Sequence, residues 1–270
     1  MTETNITFGG SIPQNYDRYL GPFLFEPYAA DLVRRLNVPP AGRVLEVACG
    51  TGIVTRHLRM ALPSGVSLTA TDLSEPMLEY AKSARGLGAT VAWRTADAQA
   101  LPFADADFDA VVCQFGLMFV PDKAAAMREA RRVLMPGGTF AFNVWARLAD
   151  NSFARIANNV ITDFFPHDPP AFYQVPFSLD DAPLLRGLLA DAGFVVEQEE
   201  RVRLEGRSVT ALDAARGLVI GSPVLMAINE RGTATPEEIV QALAAALAKE
   251  GGETPLQLPL SALVIRARAV

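Results

Sequence analysis

The stretch Arg43-Val44-Leu45-Glu46-Val47-Ala48-Cys49-Gly50-Thr51-Gly52 constrains this chain more than any other. Val44, Leu45 and Val47 form a short apolar run of the kind that becomes a buried strand. Gly50 and Gly52 then allow a tight turn in which backbone N–H groups approach a ligand with no Cβ in the way. Ile53 to Leu62 reads as a helix opening from that turn, with its positive end aimed at the ligand. Strand, glycine turn and helix in this order predict a nucleotide-type cofactor site.

The flanking chain repeats the strand–helix alternation. Residues 1–11 carry no pattern. Ile12 to Asp17 begins an N-terminal helical arm, and Glu26-Pro27 opens a second helix that stops before Pro39-Pro40. Strands are predicted at Ser67 to Thr71, Val91 to Thr95, Phe108 to Cys113 and Thr139 to Trp145. A helix capped by Ser74 closes at Gly86, and one capped by Asp122 stops at Met135-Pro136-Gly137-Gly138. Such alternation implies a parallel, doubly wound sheet. Beyond Trp145 the pattern is interrupted. Helices are predicted at Ser152 to Phe165, Asp180 to Ala192, Val209 to Ile220 and Pro236 to Lys249. A sixth strand is expected at Phe194 to Leu204 and a seventh at Leu256 to Ala269. The expectation is one α/β domain over residues 1–270, with a doubly wound, mostly parallel seven-stranded sheet. Residues 1–38 form the arm, 39–146 the cofactor-binding core, and 147–179 and 205–253 helical insertions.

Composition narrows the function. A chain of 270 residues suffices for one α/β domain with an elaboration. Its only cysteines, Cys49 and Cys113, exclude a disulfide framework and a cysteine-rich zinc site, and no metal is expected. Both read as reduced core thiols of a cytoplasmic protein. Met1-Thr2-Glu3-Thr4-Asn5 has no secretory-signal character, and no window is apolar enough for a membrane span. The net charge of −6, with no Lys or Arg run beyond a pair, argues against nucleic acid as a partner.

The choice of cofactor turns on what surrounds the glycines. A dinucleotide fingerprint would place a third glycine at position 55, where Thr55 stands. Acids end successive strands: Glu46, Asp72 and Asp97. Asp72, near the expected distance beyond the glycines, can accept both ribose hydroxyls, a need shared by NAD and S-adenosylmethionine. Asp97 suits the exocyclic amine of adenine. Glu46 can fix loop amides or reach a ligand amine through water. Each acid alone also fits a turn or cap; three in phase with the strands favour a cofactor site.

Several ordered motifs then carry a resemblance. Val44 to Gly52, Ala96-Asp97-Ala98-Gln99-Ala100-Leu101-Pro102-Phe103, Phe108 to Cys113 and Arg131 to Gly138 together resemble class I S-adenosylmethionine-dependent methyltransferases of the type-11 family. The best-known members of that family C-methylate quinone precursors. The resemblance spans roughly residues 12–146, and Ala48 departs from it by replacing the first glycine of the usual loop. It implies the Rossmann-like methyltransferase fold, with S-adenosyl-L-methionine as donor and S-adenosyl-L-homocysteine as product. It further implies that the backbone of Ala48, Cys49, Gly50 and Gly52, with Glu46 below, lines the methionine part. Asp72 would hold the ribose, with Leu73 and Met77 packing nearby. Asp97 and Ala98 would contact adenine, and Gln114 would lie near the sulfonium. Tyr16 is similar to a tyrosine that closes over the methionine carboxylate in such enzymes; packing the arm onto the core is its other reading.

Methyl transfer is an in-line displacement that needs alignment and exclusion of water. An enolate, phenolate or amine acceptor, methylated at carbon, oxygen or nitrogen, can also call on a general base. His57 reads as structural, and His167, in the insertion after the fifth strand, is the base candidate. Phe115, Met118, Phe119, Phe172, Tyr173 and Phe177 either line an apolar acceptor pocket or pack in the core. The sequence is thus read as a methyltransferase acting on a small hydrophobic or aromatic metabolite, with the insertions as a substrate lid. The alternatives are an NAD(P)-dependent oxidoreductase and a non-catalytic S-adenosylmethionine-binding regulatory protein. Apolar faces at Leu212, Leu218 and Ile220 and at Ile239, Leu243 and Leu247 serve either a lid or a dimer, leaving monomer and homodimer open.

Overall fold

The computed structural model describes residues 8–270. Residues 1–7, which include most of the expected patternless start and the segment read for a signal, lie outside the described residues. The strands are β1 (Arg43–Val47), β2 (Ser67–Asp72), β3 (Ala92–Thr95), β4 (Phe108–Gln114), β5 (Leu134–Trp145), β6 (Phe194–Ser208) and β7 (Leu256–Ala269). They make one seven-stranded sheet in the order β3-β2-β1-β4-β5-β7-β6. The pairs β1–β2, β1–β4, β2–β3 and β4–β5 are parallel, and β7 runs antiparallel to β5. The expected mostly parallel α/β sheet is present. Its connections reverse direction between β1 and β4, which opens a crevice beyond the carboxyl ends of those strands.

The helices are α1 (Ile12–Asn15), a π-helix (Tyr16–Phe25), α2 (Glu26–Arg34), α3 (Ile53–Ala61), α4 (Glu75–Arg85), α5 (Lys123–Val133), α6 (Ser152–Phe164), α7 (Ala182–Asp191), α8 (Ala211–Ile220), α9 (Val224–Arg231) and α10 (Pro236–Gly251). The chain sorts into two compact units. The first comprises Tyr28–Ala146, Pro176–Val202 and Ala262–Val270. It holds the paired strands and α3, α4, α5 and α7. Val44, Leu45, Val111, Val112 and Phe142 are fully buried there, as strands covered by helices on both faces require.

The second unit comprises the chain up to Pro27 with Arg147–Val175 and Arg203–Ser261. Here α8 packs on the π-helix and α10 packs on α8 and α6. Ile239, Leu243 and Leu247 are 0% exposed. The apolar stripe expected to serve a lid or dimer is therefore consumed inside this unit.

Several element boundaries differ from expectation for physical reasons. The second helix opens at Glu26 as expected, while the arm before it is a π-helix whose wide turns run on into α2 through Glu26 N–H donating to Gly21 O. The i→i+5 pattern accommodates Pro22, which has no N–H to give. β5 starts at Leu134, not Thr139. The Pro136-Gly137-Gly138 stop is a bulge, with Leu134 paired to Phe108 and then a register shift to Thr139 opposite Ala110. β6 continues to Ser208, so the next helix begins only at Ala211, where Thr210 accepts Asp213 N–H. The unpredicted α9 ends at Gly232 in the left-handed conformation. Asp122 caps α5 as expected, accepting Ala125 N–H at 2.8 Å. Ser74 holds the N-cap position of α4 without a capping bond from its side chain.

Candidate cofactor site

The site is built where β1 turns into α3. Ala48, Gly50 and Gly52 have φ of 54°, 55° and 77°, so alternate residues of the loop are left-handed. The two glycines are needed for different reasons. A Cβ on Gly50 would meet nothing within 4 Å. A Cβ on Gly52 would lie 3.1 Å from both Ala81 Cβ and Arg85 Cγ, so this glycine admits α4. Ala48 takes the left-handed conformation with a side chain, a strain of about 1–2 kcal/mol. Its methyl is housed by Gly116, where a Cβ would come within 2.5 Å of Ala48 Cβ and 2.9 Å of Cys113 Sγ.

Asp72 closes the loop from the neighbouring strand. Its Oδ2 accepts Gly50 N–H at 2.7 Å and its Oδ1 accepts Ser74 N–H at 2.8 Å. Burial raises its pKa, against the pull of the Gly50, Ser74 and Leu73 amides. Arg85, from the last turn of α4, donates Nε–H to Thr51 O at 2.7 Å. Glu46 is 2% exposed, and its Oε2 has no hydrogen-bond partner. Burial pushes the Glu46 carboxyl up to about 8. Thr55 opposes that rise, Asp72 adds to it, and Arg85 lowers it slightly. The Cys49 thiol is raised well above its ordinary value, first by burial and then by Glu46 and Asp72.

The remaining predicted residues occupy several settings. Asp97 lies past β3, bonded to Gln99, with Ala98 half-buried beside it. Leu73 is 68% exposed next to Asp72, and Met77 is buried in α4. Gln114 Oε1 accepts Asn143 Nδ2–H at 3.4 Å. Phe115 is left-handed, with φ 50°, and its N–H donates to Asn143 Oδ1 at 3.1 Å. The Phe115 ring stacks on Trp145 at 3.9 Å, and Trp145 in turn lies 6.2 Å from Phe177. Met118 is buried and Phe119 half-buried.

Four predicted residues belong to the other unit. Tyr16 stacks on Phe25 at 4.8 Å. Tyr173 is buried and donates its hydroxyl to Leu218 O at 2.8 Å, with Phe172 edge-on to it. His167 is exposed, in a loop tied to α9 where Arg231 Nε–H donates to Asp168 O at 2.7 Å. His57 is half-buried on α3. Sequence reasoning missed Arg85, Gln99, Gly116 and Asn143. Their partners are distant along the chain or depend on a side-chain rotamer, so no local pattern marks them. Among the described residues no group of three or more His, Cys, Asp and Glu is arranged to hold a metal. Nor is any single helix long and apolar enough to cross a membrane, and α8 with α9 reaches that length only across a 75° bend.

The strand order and the acid-clasped glycine loop define a Rossmann-like methyltransferase fold. Residues 45–142 match a family model described as a methyltransferase domain. An uncharacterized protein of Mycobacterium tuberculosis (strain ATCC 25618 / H37Rv) is 33% identical over 72% of this chain, and the match spans 62% of that protein's length. The demethylmenaquinone methyltransferase of Staphylococcus epidermidis (strain ATCC 12228 / FDA PCI 1200) is 32% identical over 68% of this chain and 82% of its own. The fold is also that of a SAM-dependent methyltransferase from Thermotoga maritima, with TM-score 0.56 and 20% identity over 95% of this chain and 96% of the other. The chain belongs to the class I S-adenosylmethionine-dependent methyltransferases of the type-11 family, and S-adenosylmethionine is the cofactor that this membership implies. Two features fit that group: the open space at Gly50, and a buried carboxyl beneath the loop with one oxygen lacking a partner.

Proposed function

We propose that this chain transfers a methyl group from S-adenosylmethionine to a small hydrophobic or aromatic acceptor, with a quinone-type ring as the leading class. The clasp of Asp72 on Gly50 N–H carries the donor half of this reading. Each carboxylate oxygen has two acceptor sites. Asp72 accepts Gly50 N–H on Oδ2 and Ser74 N–H on Oδ1, and its remaining acceptor capacity is for the ribose hydroxyls. Exposed Leu73 offers apolar surface beside them, and Asp97 with Ala98 takes the adenine. Ala48, Cys49, Gly50 and Gly52 present backbone to the methionine part, with Glu46 below and Gln114 beyond β4. The name of the Staphylococcus relative supports the quinone class. No relative supports the oxidoreductase or the non-catalytic alternative.

The donor, when bound, supplies an electrophilic methyl group on a sulfonium. The protein's work is then alignment and exclusion of water, the larger part of catalysis in such a displacement. Phe115, Phe119 and Phe177 offer apolar surface to the acceptor.

Calorimetry tests the donor half. S-adenosylhomocysteine should bind the native chain and NADH should not, and Asp72→Ala should weaken that binding by about 100-fold or more. Undiminished affinity in Asp72→Ala would remove the ribose assignment. For the acceptor, labelled methyl should pass to a reduced naphthoquinone.

A further inference from the structure

We infer that Gln99 is a positioning residue that holds Asp97 so that the site selects a donor base carrying an exocyclic amine over one carrying an oxygen at that place. The inference rests on the donor reading above and extends it to a residue which that reading leaves aside.

Gln99 is half-buried just after β3. Its backbone N–H donates to Asp97 Oδ1 at 2.8 Å. Its side-chain amide donates to the same carboxylate, with Nε2 at 3.1 Å from Oδ1 and 3.2 Å from Oδ2. The other end of that amide is fixed as well, since Gln99 Oε1 accepts Asp122 N–H at 2.9 Å. The amide orientation is therefore set from both sides: an acceptor faces the Asp122 N–H and a donor faces the carboxylate. Asp122 caps α5 through Ala125 N–H, so Gln99 bridges the end of β3 to the start of α5.

Acceptor capacity gives this bridge a consequence. Oδ1 receives two donors and is filled. Oδ2 receives one longer contact and keeps a site for one further N–H. An adenine amine satisfies it. A base with an oxygen there would set a lone pair against the carboxylate and leave the charge unpaired. Discrimination by a fixed, charged acceptor is steep because the wrong ligand leaves a polar group unsatisfied. Without Gln99 the carboxylate turns freely, hydrogen-bonds water, and must be ordered again at each binding event.

The test uses the full chain with two probes, S-adenosyl-L-homocysteine and its deaminated analogue S-inosyl-L-homocysteine, by calorimetry at pH 8. Gln99→Glu keeps an oxygen for Asp122 N–H but gives Asp97 no donor, and Gln99→Ala removes both contacts. Thermal melts confirm that each variant folds. The native chain should prefer the adenine form by about 30-fold. In both variants the preference should fall to about threefold or less, mainly through weaker binding of the adenine form. A preference unchanged in both variants, or equal loss of affinity for both probes, would overturn the inference while sparing the donor reading. Failure of the native chain to bind either probe would overturn the donor reading and this role with it.

Discussion

Asp72 Oδ2 lies 2.7 Å from the amide nitrogen of Gly50, so the acid that ends β2 also holds the loop that follows β1. Shape and ligand chemistry thus share one side chain. The loop carries the left-handed strain of Ala48 and the freedom of two glycines, and Asp72 anchors it from a neighbouring parallel strand.

Asp72→Asn should expose this double duty. The amide has one oxygen, so Gly50 N–H or Ser74 N–H loses its acceptor and faces an N–H₂ group instead. Urea unfolding should show a loss of about 1–3 kcal/mol. A variant as stable as the native chain would show that the loop stands without the clasp.

Ala48 and Gly116 should be coupled. Gly116→Ala places a methyl within 2.5 Å of Ala48 Cβ, where something must shift. It should cost about 1–3 kcal/mol by itself. Ala48→Gly relieves left-handed strain but loosens the unfolded chain, so alone it should change stability by less than about 1 kcal/mol. In the double variant the cost of Gly116→Ala should drop by about 1 kcal/mol, the residue being the 2.9 Å approach to Cys113 Sγ. Strict additivity would refute the contact.

Glu46 makes stability depend on pH in a defined direction. Its folded pKa is raised from 4.5 to about 8 by burial. Between those values the folded chain keeps a proton that the unfolded chain has released, so stability is full below pH 4.5 and declines as pH rises toward 8. Asp72, also raised by burial, acts in the same sense. Glu46→Gln should remove the Glu46 share. The variant should gain on the native chain by up to about 4 kcal/mol between pH 5 and pH 8.5 in denaturant titrations. A stability difference constant across that range would mean that Glu46 is ionised in the folded state.

The sequence showed the frame of this protein because its signals are local. The apolar run at Val44–Val47, the acids at 46, 72 and 97, and the cap at Asp122 each depend on neighbours in the chain. What it concealed depends on distance or on backbone detail. Gly52 also admits the approach of α4, a contact with Ala81 and Arg85 that no neighbour in the chain announces. Pro136-Gly137-Gly138 follows the end of α5 at Val133 as expected, but the register shift that places it inside β5 left no local mark. Arg85 reaches Thr51 across 34 residues, and Gln99 reaches Asp122 across 23. The apolar stripe of α10 announced burial correctly without saying against what, and the answer, α8 and α6, required the packing itself.

Gly217 is where α8 packs closely on the arm in the helical unit. A Cβ there would lie 2.6 Å from Leu20 Cδ2 and 2.9 Å from Tyr19 Cβ, both on the π-helix. Gly221, one turn on, would bring a Cβ within 3.0 Å of Tyr16 N. Two glycines four residues apart thus let the end of α8 approach the arm, Gly217 against the Leu20 and Tyr19 side chains and Gly221 against the backbone of Tyr16. Gly217→Ala favours the helix intrinsically, by about 1 kcal/mol, so a lone helix would be stabilised. The contact reverses that sign: the variant should lose about 1–3 kcal/mol, and amide exchange should rise across residues 16–25 more than in α10. Protection of 16–25 equal to the native chain would show that the arm is held by contacts other than this one.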